Sequence, residues 1–154
     1  FYPADSKRVA GLARVALKTH NREALREGLE QLSRLEADDP SARKKLASMA
    51  LEDKDWEQVA RYAAMTLHID VSDVDAHAML ADALAALQKW RDAADEYRLM
   101  RQLRPNDRTV PLKLAKALRE AGERDAAIET VKELLAKDPE NNEARELLKQ
   151  LESK

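Results

Sequence analysis

Apolar residues recur along this chain at helical spacing, in short stripes separated by polar breaks. Leu80, Leu84 and Leu87 share one helix face, and after a break Trp90, Ala93, Ala94, Tyr97 and Met100 share another. The same design follows with Leu114, Ala117 and Leu118 before Gly122, then Ala127, Ile128, Val131 and Leu134. A shift of 34 residues lays the chain on itself. Leu12, Leu46, Leu80 and Leu114 form one unbroken series, and Ala13, Ala47, Ala81 and Ala115 form another directly after it. Trp56 and Trp90 keep that interval, as do Pro105 and Pro139. A large residue followed by a small one, held in step four times, predicts a tandem array of helix pairs. Such a pair buries its apolar stripe only by stacking on its neighbours. The register gives repeats at 6–39, 40–73, 74–107 and 108–141 and a last helix at 142–152. The expectation is therefore about nine helices in a single domain spanning 1–154.

The breaks carry the chemistry of helix ends. Asp55-Trp56-Glu57-Gln58 reads as a capping box, with the Asp55 carboxylate accepting an orphan amide and Gln58 returning the bond. Asn21 takes the equivalent place in the first repeat. Pro40 and Pro111 fit a helix's first turn, where a missing amide costs nothing. Pro105 and Pro139 fall where the second helices must stop, and Gly122 falls where a left-handed residue closes a first helix. Leu25 and Val59 replace the alanines at Ala93 and Ala127, so a wider or rotated crossing is expected in the first two repeats.

Composition narrows the class. The 154 residues are 44% hydrophobic, 4% aromatic and 36% charged, rich in helix-forming Ala, Leu, Glu, Lys and Arg. With three glycines and five prolines there is little material for strand turns, so the fold class is all-α. Formal net charge is −2 and the pI is about 6.0, which gives no global attraction to nucleic acid or an anionic membrane. No apolar run reaches the roughly 18 residues a membrane helix needs. There is no cysteine, hence no disulfide and no thiolate ligand. The chain starts Phe1-Tyr2-Pro3 with a repeat almost at once, which reads as a fragment of a longer polypeptide. High Ala and Arg content fits a GC-rich bacterial source.

On these residues the chain resembles the tetratricopeptide repeat family. The third repeat carries the resemblance best, with Leu80, Ala81, Leu84, Ala93, Tyr97 and Pro105. His77 stands at the family's first aromatic position and Met100 at its second alanine. The fourth offers Leu114, Ala115, Leu118, Gly122, Ala127 and Pro139, with Pro111 and Val131 departing from the aromatic positions. The first two repeats keep little beyond the Leu–Ala pair, with Trp56 in addition in the second. The resemblance implies a right-handed superhelix whose first helices line a concave groove for an extended peptide or a partner's helix. It also implies a solvating last helix, with Leu147, Leu148 and Leu151 docked inward. No such cap precedes the first repeat, so Val9, Leu12 and Ala16 are expected to lie partly uncovered.

In that register the groove positions are the second, fifth, ninth, twelfth and thirteenth of each repeat. They put Lys7, Arg14 and Lys18 in the first repeat, Lys44 and Ser48 in the second, Asp75 and Asp82 in the third, and Lys116 and Arg119 in the fourth. The early part is basic, which suits a protein or peptide ligand with an acidic segment, because misplaced like charges penalise a wrong register. The competing interpretation is a set of solvated helix charges with intramolecular partners. Chaperone-binding members of the family grip a terminal carboxylate with Lys and Asn. Lys44 fits that scheme, but the ninth positions hold Arg14, Ser48, Asp82 and Lys116, and Asp82 repels a carboxylate.

Catalytic and cofactor signatures are missing, and the expectation is a non-enzyme that needs no cofactor or metal. His20, His68 and His77 occupy three different repeat positions without ligand spacing. The serines lack a nucleophile elbow, and Gly11, Gly28 and Gly122 are isolated. Asp38-Asp39 and Asp73-Val74-Asp75 read as turn and cap residues. Two functions follow: an interaction scaffold that docks a peptide or helix, or a positioning module of a catalytic domain outside these residues. The second predicts that Phe1, Tyr2 and Val9 meet an upstream domain.

Overall fold

The structure, a computed structural model, describes residues 3–153. Among these residues there are nine α-helices: α1 (Pro3–Lys18), α2 (Arg22–Leu35), α3 (Ser41–Glu52), α4 (Trp56–Leu67), α5 (Val74–Ala86), α6 (Trp90–Leu103), α7 (Val110–Glu120), α8 (Arg124–Lys137) and α9 (Asn142–Glu152). They form two compact units that meet in sequence at Ala76 and His77. Phe1 and Tyr2, expected to meet an upstream domain, lie outside the described residues.

In the first unit α1 pairs with α2 and α3 with α4, and α2 also packs on α3. Its buried residues alternate between first and second helices: Ala13 and Ala16, Leu29 and Leu32, Leu46 and Met49, Val59 and Ala63. In the second unit α6, α7, α8 and α9 pack in succession. One core runs through Tyr97, Met100, Leu114, Leu118, Val131, Leu134, Leu147 and Leu151. The 3.6-residue period makes this possible, because each helix turns one stripe inward and leaves the charged remainder outside.

Caps form where the sequence puts short polar side chains. Asn21, Asp55 and Asn141 each accept a backbone amide three residues on, from Ala24 (3.0 Å), Gln58 (3.1 Å) and Ala144 (3.0 Å). The capping box is only half made, since the Gln58 side chain accepts from Arg61 at 3.5 Å instead of returning to Asp55. Pro40 is the N-cap of α3 and Pro111 lies in the first turn of α7. Pro105 and Pro139 directly follow the C-caps Arg104 and Asp138.

The first helices close identically in all four repeats. His20, Lys54, Gln88 and Gly122 take φ of 54°, 57°, 59° and 82°, at intervals of 34 residues. Each time the next amide reaches back across the helix end: Asn21 to the Ala16 carbonyl, Asp55 to Ala50, Lys89 to Leu84 and Glu123 to Leu118, at 2.8–2.9 Å. This is a Schellman closure, in which a left-handed residue returns two amides to the last turn. The glycine signal finds only Gly122. In the other three the hydrogen-bonded closure imposes the conformation on residues that do not favour it.

Two expectations about the start need correction. Val9 and Ala16 are buried, because they face α2; Leu12 is the residue left open. The crossing of α1 and α2 is close at Gly28 despite Leu25, and a Cβ added at Gly28 would lie 3.1 Å from the Ala13 Cβ. Arg43 also behaves unexpectedly. It stands where His77 stands in the third repeat, and it is buried. Its guanidinium donates to the Ser33, Ala37 and Asp39 carbonyls at 2.6, 3.0 and 3.1 Å, so it closes the end of α2 where no proline follows.

Candidate functional site

The positions expected to line a groove are exposed or half-buried in both units, all but Asp75 and Asp82 being on α1, α3 or α7. In the first unit Lys7, Arg14 and Lys18 are exposed along α1 with Leu17, and Ala10 is half-buried beside them. Lys44 and Ser48 on α3 are half-buried, and Asp75 on α5 is exposed. In the second unit Asp82 on α5 is half-buried, and Lys116 and Arg119 on α7 are exposed. Helical spacing explains the alignment, since residues 7, 14 and 18 return to one face after two and three turns.

Electrostatics separate these residues sharply. Lys44 donates to the Asp73 Oδ2 at 2.8 Å, and the Asp73 side chain is only 8% exposed. This hydrogen bond raises the Lys44 pKa. Burial pushes the Asp73 carboxyl up, but Lys44 and the Ala76 amide outweigh it and hold it below its ordinary range. Asp82 accepts the Tyr97 hydroxyl at 2.6 Å and Lys113 at 2.8 Å on both oxygens. Burial, with the Asp82 carboxylate second, holds the Tyr97 hydroxyl protonated far above its usual range. Lys116 pairs with Glu143, and Arg119 binds Glu120 and Gln150. The Ser48 hydroxyl returns to its own helix at the Lys44 carbonyl, and Asp75 is also engaged. Lys7, Arg14 and Lys18 make no ion pair among the described residues.

Sequence reasoning missed the partners. Asp82 and Lys113 are 31 apart, as are Arg22 and Asp53, while Arg26 and Asp53, like Lys116 and Glu143, are 27 apart. These intervals are one repeat less one or two helical turns, and they join α5 to α7, α7 to α9, and α2 to the end of α3. Opposite charges at those two intervals are the signal that finds such pairs. His77 is buried with its Nδ1 2.6 Å from the Glu96 Oε2, a core contact of the second unit. Asp39 and Asp107 cap turns through Ser41 and Thr109. Among the described residues no group of three or more His, Cys, Asp or Glu could hold a metal ion, and no helix is long and apolar enough to cross a membrane.

Within each unit, helix hairpins pack in succession with polar strips on their first helices, an all-α arrangement. Residues 86–151 match the model of the tetratricopeptide repeat. Among curated proteins, none matches the sequence. Solved structures share the fold. MamA from Desulfovibrio magneticus RS-1 (residues 41 to the end) is 16% identical with a TM-score of 0.74, over 95% of this chain and 82% of its own. YrrB, described as a TPR protein with an unusual peptide-binding site, is 15% identical with a TM-score of 0.78, over 92% and 73%. The second TPR domain of human RPAP3, in complex with the HSP70 peptide SGPTIEEVD, is 17% identical with a TM-score of 0.66, over 75% and 100%.

Proposed function

We propose that this chain is a protein-interaction scaffold and that the α1 strip of Lys7, Arg14 and Lys18 receives an acidic peptide segment. One observation carries the reading: these three cations are exposed and make no ion pair among the described residues, whereas the other charged groove candidates are engaged within the chain. An unpaired cation loses no internal partner on binding, so its attraction for a ligand carboxylate is not offset by a broken ion pair. Leu17, exposed beside them, adds an apolar foothold. The acidic peptide named with RPAP3 and the peptide-binding site named for YrrB support a peptide ligand. The ninth positions lack Asn, so the ligand's side-chain carboxylates, not its terminus, are what the strip holds.

The test is a fluorescence titration of acidic nine-residue peptides, beginning with SGPTIEEVD and variants whose acids are internal. Binding should weaken steeply between about 0.05 M and about 0.3 M salt, as screening shortens toward the size of the contact. The Lys7/Arg14/Lys18→Glu variant should lose it, while a Lys116→Glu variant should keep it. Equal binding by the triple variant would refute the strip and favour a positioning role.

A further inference from the structure

The slot that Arg43 fills in the first unit is an open cavity in the second. Two periods on, Arg43 becomes Pro111. The residues whose carbonyls Arg43 bonds, Ser33, Ala37 and Asp39, become Arg101, Pro105 and Asp107. All four of these later residues line one cavity of about 400 Å³, together with Leu134 and Lys137 of α8. The cavity is therefore the Arg43 slot, open because the ring of Pro111 closes on its own backbone and reaches no further. His77, at the same place in the third repeat, is planar like Arg43 and buried. Every wall comes from α6, α7, α8 or the residues at their ends, so the cavity belongs wholly to the second unit.

The charge around the slot differs as well. Over the same two periods Ser33, Pro40 and Ile69 become Arg101, Arg108 and Lys137, and Met65 becomes Glu133. Three cations and one acid are added around a slot that loses the Arg43 cation. The acids of the cavity are engaged. Glu133 pairs with Arg101 at 3.2 Å, Asp107 accepts the Thr109 amide and hydroxyl at 2.9 and 2.7 Å, and Asp138 accepts the Asn141 side chain at 3.3 Å. Arg108 and Lys137 are exposed and make no ion pair among the described residues. Pro105, Pro111 and Leu134 supply apolar walls. A second guanidinium would meet those two cations, so charge selects an occupant of the opposite sign.

We propose that this cavity binds an aromatic ring bearing an anionic group, of the phenyl phosphate kind. The ring lies on Pro105, Pro111 and Leu134, and the anion meets Arg108 and Lys137. A flat group is what this repeat position holds elsewhere, as the guanidinium of Arg43 and the imidazole of His77. An aromatic ring keeps that shape, and its apolar faces gain by leaving water. The Arg108 fork matches two phosphate oxygens, and Lys137 adds a point charge. The volume suits a small ligand, for which sites run about 300–1,000 Å³. The same chemistry reaches the protein as a free aromatic acid or as a phosphotyrosine side chain. Neither uses Lys7, Arg14 or Lys18, so this proposal and the α1 strip fail separately.

The test is an amide NMR titration of the whole chain with phenyl phosphate, set against inorganic phosphate and phenol. Phenyl phosphate should bind roughly tenfold more tightly than either, the scale of two exposed ion pairs added to a ring. Arg108→Ser with Lys137→Ile should reduce its binding to that of phenol, while Lys7→Glu with Arg14→Glu should leave it unchanged. Pro111→Phe fills the slot with the chain's own ring and should abolish binding, with circular dichroism checking that the helix content is kept. Should that variant lose its fold, the Arg108 and Lys137 pair decides alone. A short peptide with a central phosphotyrosine separates the sources. Tighter binding than phenyl phosphate assigns the site to a partner protein and weaker binding assigns it to a free aromatic acid, and both carry the proposal. Three results would overturn it: phenyl phosphate binding no tighter than both controls, binding indifferent to Arg108→Ser with Lys137→Ile, or binding kept in a folded Pro111→Phe.

Discussion

Replacing Lys54 by Gly should make this protein more stable, although no contact is gained. Lys54 holds φ 57° as the left-handed residue that closes α3, is exposed, and makes no ion pair among the described residues. A side chain in that conformation crowds its own carbonyl, at roughly 1–2 kcal/mol. Glycine removes the crowding but loses more freedom on folding, about 0.5–1 kcal/mol. The difference leaves a net gain of about 0.5–1 kcal/mol. Gln88→Gly should give a similar gain at φ 59°, and the two should add, because the sites share no partner. The reverse experiment is Gly122→Ala. A Cβ there would meet nothing within 4 Å, so the loss of about 0.5–1 kcal/mol would be backbone strain less the freedom that glycine gives up on folding, with no steric clash added. Urea unfolding followed by circular dichroism measures all three, with an unchanged slope showing that the surface exposed on unfolding is the same. A change near 1 kcal/mol corresponds to about 2–4 °C in thermal midpoint for a chain of this size. If Gly122→Ala were neutral, or Lys54→Gly destabilising, the closure would not be strained and the reasoning would fail.

Two further outcomes follow from the first unit and the turn aspartates. Arg43→Met keeps most of the volume but removes the donors to the Ser33, Ala37 and Asp39 carbonyls; a loss of roughly 2–4 kcal/mol is expected in the same unfolding assay, and a loss below about 1 kcal/mol would mean that water replaces them. Acid should destabilise the fold progressively. The Ser41 and Thr109 hydroxyls and amides hold Asp39 and Asp107 below the ordinary carboxylate range; Lys44 and the Ala76 amide do so for Asp73 against its burial. A carboxyl that is more acidic folded than unfolded stabilises fully above its unfolded pKa, about 3.9, and that stability is lost as pH falls through the folded value. The urea midpoint should therefore drop below about pH 4.5, less steeply in Asp73→Asn, and a flat midpoint down to pH 3 would refute the assignment.

What the sequence determined by itself is what repeats. The 34-residue interval, the apolar stripes at helical spacing and the polar breaks carry the helix order, the all-α class, the caps at Asn21 and Asp55 and the ends before Pro105 and Pro139. These are local matters of propensity, periodicity and missing amides, and each is written within a few residues. The common face of residues 7, 14 and 18 is legible in the same way, because helical phase alone puts them on one side. What only the tertiary structure decided is which of those charges is available. Lys44 and Asp82 fall in the same register of candidate positions as Lys7 and Arg14, yet Asp73, in the turn before α5, and Lys113, on α7, occupy them. His20, Lys54 and Gln88 were missed as left-handed closures for a related reason, since the returning amides impose the conformation whatever the residue prefers. Arg43 was missed because its partners are backbone carbonyls, which no side chain announces. In each case the deciding term is a contact across tens of residues, and its energy exists only once the helices have been brought together.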